Sequence, residues 1–310
     1  LRLGLFFYDH LGGRKLLPPT RTLDMRSDTA GAPLKPLFRT AFEYSDCWVD
    51  DARFVVLNAR DAADRGADIR THTEVTGLER IESGWRISLQ PAKGGPAVDV
   101  TAHLVVNAAG PWVDSLLGRI AGARNQRNVR LVQGSHIVVP RVSDDPRCYI
   151  FQNGDGRIIF AIPYEQDYTL IGTTDLDYQG DPGGAAISRA ETDYLCAAAS
   201  EYFREPIRSK SIVWTYSGVR PLYDDGTTAA QKATRDYVLR LDGDAETGAL
   251  INVFGGKITT YRKLAEAVMD QVETVLGKRG VAWTQTAALP GGDFPVSGVD
   301  DLQNTLADTY

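Results

Sequence analysis

The sequence predicts a mixed α/β protein of two interleaved domains, and three observations carry that prediction. Two short apolar runs, His103 to Asn107 and Ala249 to Phe254, each lead into a glycine-containing turn and then a helical pattern. Between them, Arg130 to Gly172 is rich in β-branched and aromatic runs that make a separate sheet. After the second turn, Ile258, Tyr261, Leu264, Ala265, Val268, Val272 and Val275 recur at helical spacing. A chain of 310 residues with 43% hydrophobic content is long enough to bury cores for both domains.

Taken in order, the first forty residues mix apolar, basic and turn positions and predict a short helix followed by loops. Asp50 and Asp51 stand at N-cap positions ahead of Phe54, Val55 and Leu57, which predicts a helix to about Arg65, ended by Gly66. Ile69 to Val75, Gly77 to Ile81, Trp85 to Leu89 and Val98 to Ala102 alternate between glycine and proline breaks, as an antiparallel meander does. His103 to Asn107 reads as a buried strand, and Pro111 opens a helix to Arg119. In the middle region, Gly154 to Gly156 lacks the third glycine of a dinucleotide fingerprint and reads as a hairpin turn. Ser188 with Glu191 three residues on forms a capping box for a helix to about Phe203. Strands follow at Ile212 to Val219, Tyr237 to Leu241 and Ala249 to Phe254.

The net charge of -6 argues against a nucleic-acid partner, so any anion site must be local. Cys47, Cys148 and Cys196 are too few and too scattered for a disulfide framework, and the four histidines show no metal-ligand spacing. No apolar run approaches the ~20 residues of a membrane span.

Four places carry candidate chemistry. The strand, glycine pair and helix at Phe254 to Lys263 would set unpaired backbone N–H groups and a helix dipole toward an anion, with Lys257 adding a charge; an ordinary strand-to-helix turn is the alternative. Arg220 follows an apolar run and is expected at a strand end, where it could grip a carboxylate or phosphate, or make a surface ion pair. Arg235 has a similar look, but Asp236 beside it offers a local salt bridge. His136 lies in an apolar strand, where a packed core histidine is the common case and a general base the sharper one.

Seven ordered runs resemble the FAD-dependent glycerol-3-phosphate dehydrogenases, relatives of the D-amino-acid-oxidase flavoproteins. They are Gly4 to Gly12, Phe42 to Arg53, Asn107 to Trp112, Gly134 to Pro140, Ile171 to Asp175, Trp214 to Leu222 and Phe254 to Lys263. The resemblance implies oxidation of the C2 hydroxyl of glycerol 3-phosphate to dihydroxyacetone phosphate, with hydride passing to the flavin and electrons to a membrane quinone. It implies that Arg220 and Lys257 clamp the phosphate, that Arg235 assists, and that His136 lies near the reacting alcohol as a base. It implies FAD contacts at Ala109, Gly110, Trp112, Thr174, Gly255, Gly256, Lys257, Ile258 and Thr259, with the helix start facing the flavin.

The domains expected on this basis are a substrate-domain or membrane-facing segment over 1–49, part of a Rossmann-like FAD domain over 50–120, an antiparallel substrate domain over 121–248, a return to the FAD domain over 249–285, and a linker over 286–310. The family's G-x-G-x-x-G region and C-terminal helical domain are absent from these residues, so the chain is expected to be an internal piece. Leu3, Leu5, Phe6, Phe7 and Leu11 with Arg2, Arg14 and Lys15 suit either core packing or an interfacial helix on an anionic lipid surface. The resemblance places such enzymes in the cytoplasm, peripheral on the inner face of the cell membrane, and is compatible with a homodimer. Oxygen in place of quinone, or a non-catalytic module binding anionic metabolites, are the competing readings.

Overall fold

The computed structural model describes residues 2–10, 17–120, 127–224 and 236–309. In chain order these form α1 (Arg2–His10), β1 (Arg21–Asp24), β2 (Thr40–Glu43), α2 (Asp51–Asp64), β3 (Thr73–Ile81), β4 (Gly84–Pro91), β5 (Val98–Ala102), β6 (Leu104–Asn107) and α3 (Val113–Leu117). The middle of the chain forms β7 (Val129–Pro140), β8 (Tyr149–Gln152), β9 (Ile158–Tyr164), β10 (Tyr168–Gly172), β11 (Leu176–Asp177), α4 (Arg189–Tyr202) and β12 (Trp214–Tyr223). The last elements are β13 (Val238–Asp242), β14 (Ala249–Phe254), α5 (Tyr261–Leu276) and α6 (Val299–Thr309).

Local chemistry sets several of these boundaries. Asp50 caps α2 by accepting the Arg53 amide at 3.0 Å, and Gly66 ends the helix at φ 96°. Ser188 and Glu191 exchange reciprocal bonds at the start of α4, 3.2 Å from the Glu191 amide to Ser188 Oγ and 2.8 Å from the Ser188 amide to Glu191 Oε2. β8 and β9 pair antiparallel across the Gly154–Gly156 turn, where Gly156 takes φ 84°.

A six-stranded sheet, a three-stranded sheet, a three-stranded meander and the β1–β2 pair result. β7 is the spine of a six-stranded sheet, flanked by β12 on one side and by β10 and β11 on the other, with β9 and β8 beyond β10. One face of that sheet packs Ile137, Val139, Phe151, Ile159, Ala161 and Ile171 against Leu195, Ala199 and Phe203 of the α4 region. The second sheet runs β13–β14–β6, with β14 buried along its whole length and parallel to β6. The β3–β4–β5 meander docks onto it through Trp85, which is 0% exposed and donates from Nε1 to the Ala249 carbonyl at 2.9 Å. Burying an indole this way removes its large apolar surface from water while leaving its one donor satisfied.

The structure corrects the sequence reading at five places. Ile69 to His72 lie outside the meander, whose first strand begins at Thr73. β6 has a single neighbour among the described residues, and Val106 is 40% exposed there, where the sequence reads a buried strand. Val238–Asp242, grouped by sequence position with the middle sheet, pairs with β14. β12 begins at Trp214 and runs on through Pro221 to Tyr223, since an edge strand tolerates a proline that a central one does not. α5 starts at Tyr261 after a 3₁₀ turn at Ile258–Thr260, one turn later than its apolar pattern suggested.

Candidate active site

The face of the six-stranded sheet turned away from α4 carries the candidate residues His136 and Arg220. Antiparallel register sets His136 of β7 opposite Gly172 of β10 on one side and Tyr216 of β12 on the other, so all three share that face. The imidazole stacks on the Tyr216 ring at 4.7 Å between centroids and 13° between planes. Gly172 makes room for it: a Cβ there would stand 2.2 Å from His136 Cδ2. Burial first, and the Arg220 guanidinium second, lower the His136 pKa to about 4. The ring is therefore neutral near pH 7, and its buried Nδ1 has no hydrogen-bond partner among the described residues.

Arg220 lies within β12, opposite Val132, rather than at a strand end. Its side chain folds back over Gly134, where a Cβ would meet Arg220 Nη2 at 2.8 Å and Thr173 Oγ1 at 2.6 Å. The reason is a bulge. Gly172 pairs with His136 and Leu176 with Gln133, so Thr173, Thr174 and Asp175 face only Ser135 and Gly134 and leave the ladder. The bulge turns the Asp175 carboxylate onto Arg220 Nη1 as an ion pair, while Nη2 reaches Thr173 Oγ1 at 3.5 Å. The guanidinium is thus held in orientation through Nη1 and, more weakly, Nη2, with its remaining N–H groups in reserve.

Behind the bulge lies a network that sequence reasoning missed. Thr174 turns its hydroxyl inward, donating to Glu191 Oε1 at 2.7 Å and accepting the Ser135 amide at 3.0 Å. Glu191 also accepts from Ser135 Oγ at 2.7 Å, Ser188 Oγ at 2.9 Å and Gln133 Nε2 at 3.1 Å. Burial pushes the Glu191 pKa up, but the bonds from the Ser188 amide, Thr174, Ser135 and the Ser188 hydroxyl outweigh it and hold the carboxyl below its ordinary range. The capping box gave Glu191 a helix-start role; its second role as anchor of β7 and the bulge had no local signal. The Thr174 side chain is accordingly committed to this network.

The other candidate residues gather at one end of the β6–β14 pair. Because those strands run parallel, Ala108–Trp112 and Gly255–Lys257 both emerge at the same sheet end, where open α/β sheets place their ligands. A buried pair fixes the two turns together: Asn107 Nδ2 donates to Asn252 Oδ1 at 2.9 Å and to the Val113 carbonyl at 3.0 Å. Gly110 takes φ 54° with nothing within 4 Å of a Cβ position, and Trp112 is exposed, its Nε1 donating to Asp181 at 3.0 Å. Gly255 and Gly256 take φ 74° and 102°. A Cβ on Gly255 would stand 3.6 Å from the Pro221 carbonyl oxygen, so this turn abuts β12 directly beyond Arg220.

Lys257, Ile258 and Thr259 are exposed on that turn. Arg235 lies outside the described residues. The start of α2 joins the same neighbourhood. Phe54 packs edge-on against Tyr261 at 4.6 Å, and burial, then Tyr164, then Asp51 raise the pKa of the Tyr216 phenol.

The profile of a family described as FAD dependent oxidoreductase matches residues 7–262. A D-erythritol 1-phosphate dehydrogenase of Brucella abortus is 48% identical over 312 residues, covering 100% of this chain and 62% of that protein. A glycerol-3-phosphate dehydrogenase of Pseudomonas aeruginosa is 44% identical over 310 residues, covering 100% of this chain and 60% of that protein. Among solved structures, the glycerol-3-phosphate dehydrogenase from Bacillus halodurans complexed with FAD matches with a TM-score of 0.75 at 26% identity, over 93% of this chain and 55% of that one. The chain belongs to the FAD-dependent oxidoreductase family, and it spans less than two thirds of the length of these relatives.

FAD is the cofactor of that family, and the residues present fit it. The open space beside Gly110 permits the close approach that a flat, charged ligand needs, while the missing side chains of Gly255 and Gly256 let the turn pack against Asp236, Pro221, Leu264 and Tyr237.

Proposed function

We propose that this chain forms the substrate wall and part of the cofactor wall of a longer enzyme that oxidises the secondary hydroxyl of a short polyol phosphate to the ketone. The substrate read first is glycerol 3-phosphate, giving dihydroxyacetone phosphate. The observation that carries the reading is the shared sheet face of His136 and Arg220, with a neutral imidazole whose Nδ1 has no partner among the described residues and a guanidinium held by Asp175.

Bound FAD would supply the hydride acceptor, held on this chain by Ala109, Gly110, Trp112, Gly255, Gly256, Lys257, Ile258 and Thr259. The His136 imidazole takes the hydroxyl proton as the C2 hydride leaves, which a ring already neutral at pH 7 can do without first losing a proton. Arg220 binds the phosphate through the N–H groups that Asp175 does not use, and Lys257 adds charge to the same anion. A four-carbon polyol phosphate is the second reading, favoured by the 48% identity to the Brucella protein named for D-erythritol 1-phosphate.

We assign the electrons to a membrane quinone, with the protein cytoplasmic and peripheral on the inner membrane face. Supporting this, α1 exposes Leu3, Phe6 and Phe7 at 69%, 57% and 60%, while Tyr8 and Asp9 tie it to the chain through Ser45 and Thr20. Arg14 and Lys15 of that segment lie outside the described residues. The test is quinone-analogue reduction by the full-length, FAD-loaded protein with glycerol 3-phosphate. Turnover by the wild type without peroxide formation, with KM raised in Arg220→Ala, is the expected result; turnover with an amino acid instead would sink the reading.

A further inference from the structure

We propose that Gly218 sets the chain length of the polyol phosphate this site accepts, and that its missing side chain leaves room for a fourth hydroxylated carbon. The inference rests on the function proposed above and concerns the same site. Along the outer face of β12 the side chains are Trp214, Tyr216, Gly218 and Arg220, opposite Val138, His136, Gly134 and Val132 of β7. Two glycines therefore face each other between the stacked His136 and Tyr216 rings and the Arg220 row.

They are not equivalent. Gly134 is buried beneath the Arg220 guanidinium and Thr173, and any Cβ there would collide with both. Gly218 is exposed, has no heavy atom within 4 Å of a Cβ position, and does not take the left-handed backbone that would require glycine. Neither packing nor backbone conformation demands a glycine at 218.

What the missing side chain does is keep the floor open beside the candidate base and the candidate phosphate ligand. Same-face residues along a strand stand about 6.8 Å apart, so the step from the His136 and Tyr216 row to the guanidinium over Gly134 suits a short phosphorylated chain. A hydroxylated carbon beyond those of glycerol 3-phosphate needs space to one side of that line, and the open side is at Gly218. A methyl group would begin to fill it from below with no heavy atom within 4 Å of its carbon, and an isopropyl group would fill more of it.

The experiment uses the full-length, FAD-loaded protein as wild type, Gly218→Ala and Gly218→Val, with glycerol 3-phosphate and D-erythritol 1-phosphate as the two probes. Turnover and the rise in melting temperature on adding each compound are both measured. The wild type is expected to bind and oxidise both. Gly218→Val is expected to lose at least tenfold more kcat/KM for the four-carbon compound than for the three-carbon one, mainly through KM. Its melting shift with the four-carbon compound should disappear, and Gly218→Ala should fall between. The unliganded melting temperature should stay within 2 °C of wild type, which separates a filled slot from a damaged fold.

Equal losses for both compounds, no loss in either variant, or a wild type that binds only glycerol 3-phosphate would overturn the inference and leave the proposed reaction standing. A wild type that oxidises neither compound would overturn the proposed reaction, and the inference with it.

Discussion

His136 is held neutral by its surroundings, and that has a consequence for stability as well as for proton transfer. Its pKa is about 4 in the folded chain against 6.5 for an ordinary imidazole, so as pH falls the unfolded chain takes up the proton first. The stability contributed by the neutral ring is complete above pH 6.5 and is lost as pH falls from 6.5 to 4. Between pH 7 and 4.5 the wild type should lose about 2 kcal/mol more unfolding free energy than His136→Gln, measured by urea titration at the two values. Equal losses would mean that the imidazole protonates in place.

Arg220 makes a different prediction. Removing it deletes a charge-assisted contact and leaves Asp175 without its ion pair, so Arg220→Ala should raise KM for the phosphorylated substrate between about tenfold and a hundredfold. Asp175→Asn keeps the shape but loosens the guanidinium, and should cost less.

At the scale of elements, the bulge between β10 and β11 is the device that aims Asp175 and Thr173, and Glu191 of α4 is what anchors it from behind. Truncating Glu191 would strand Ser135, Thr174, Gln133 and Ser188, whereas truncating Ser188 removes a cap and one of several donors. Glu191→Ala should therefore destabilise by at least about 3 kcal/mol and Ser188→Ala by about 1 to 2 kcal/mol, both read from urea unfolding. Comparable small losses from both would show that the network does not hold the sheet to the helix.

The contrast also explains what the sequence made legible. Caps, the Gly154–Gly156 hairpin and the apolar runs are written in neighbouring residues, so they could be read directly. The Asn107 to Asn252 pair joins residues 145 apart, and Glu191 meets Ser135 across 56, so both depend on pairings that no local pattern announces. Each asparagine does stand in an apolar run close before a glycine turn, which is the one signal that could have flagged it. The same limit misplaced Arg220: its apolar run ends early, but its strand is extended by pairing with β7.

At the scale of the molecule, β12 is the junction. One edge pairs with β7 and its candidate base, while its end at Pro221 to Tyr223 meets the Gly255 turn that follows the central strand of the other sheet. The proposed substrate wall and the proposed cofactor wall are thereby joined through one strand. α1 adds an apolar surface at the N-terminal end, and replacing Leu3, Phe6 and Phe7 with serine in the full-length protein should abolish cosedimentation with anionic vesicles while leaving flavin content unchanged. Retained cosedimentation would assign those side chains to packing instead.

The central claim is that this sheet face presents a polyol phosphate to FAD. Its most direct test is the flavin absorbance of the full-length protein under anaerobic conditions as glycerol 3-phosphate or D-erythritol 1-phosphate is added. The account predicts bleaching of the oxidised flavin band by at least one of them, abolished in His136→Gln and shifted to far higher substrate concentration in Arg220→Ala. A band unchanged by either polyol phosphate, or bleached equally well in the Arg220 variant, would contradict it.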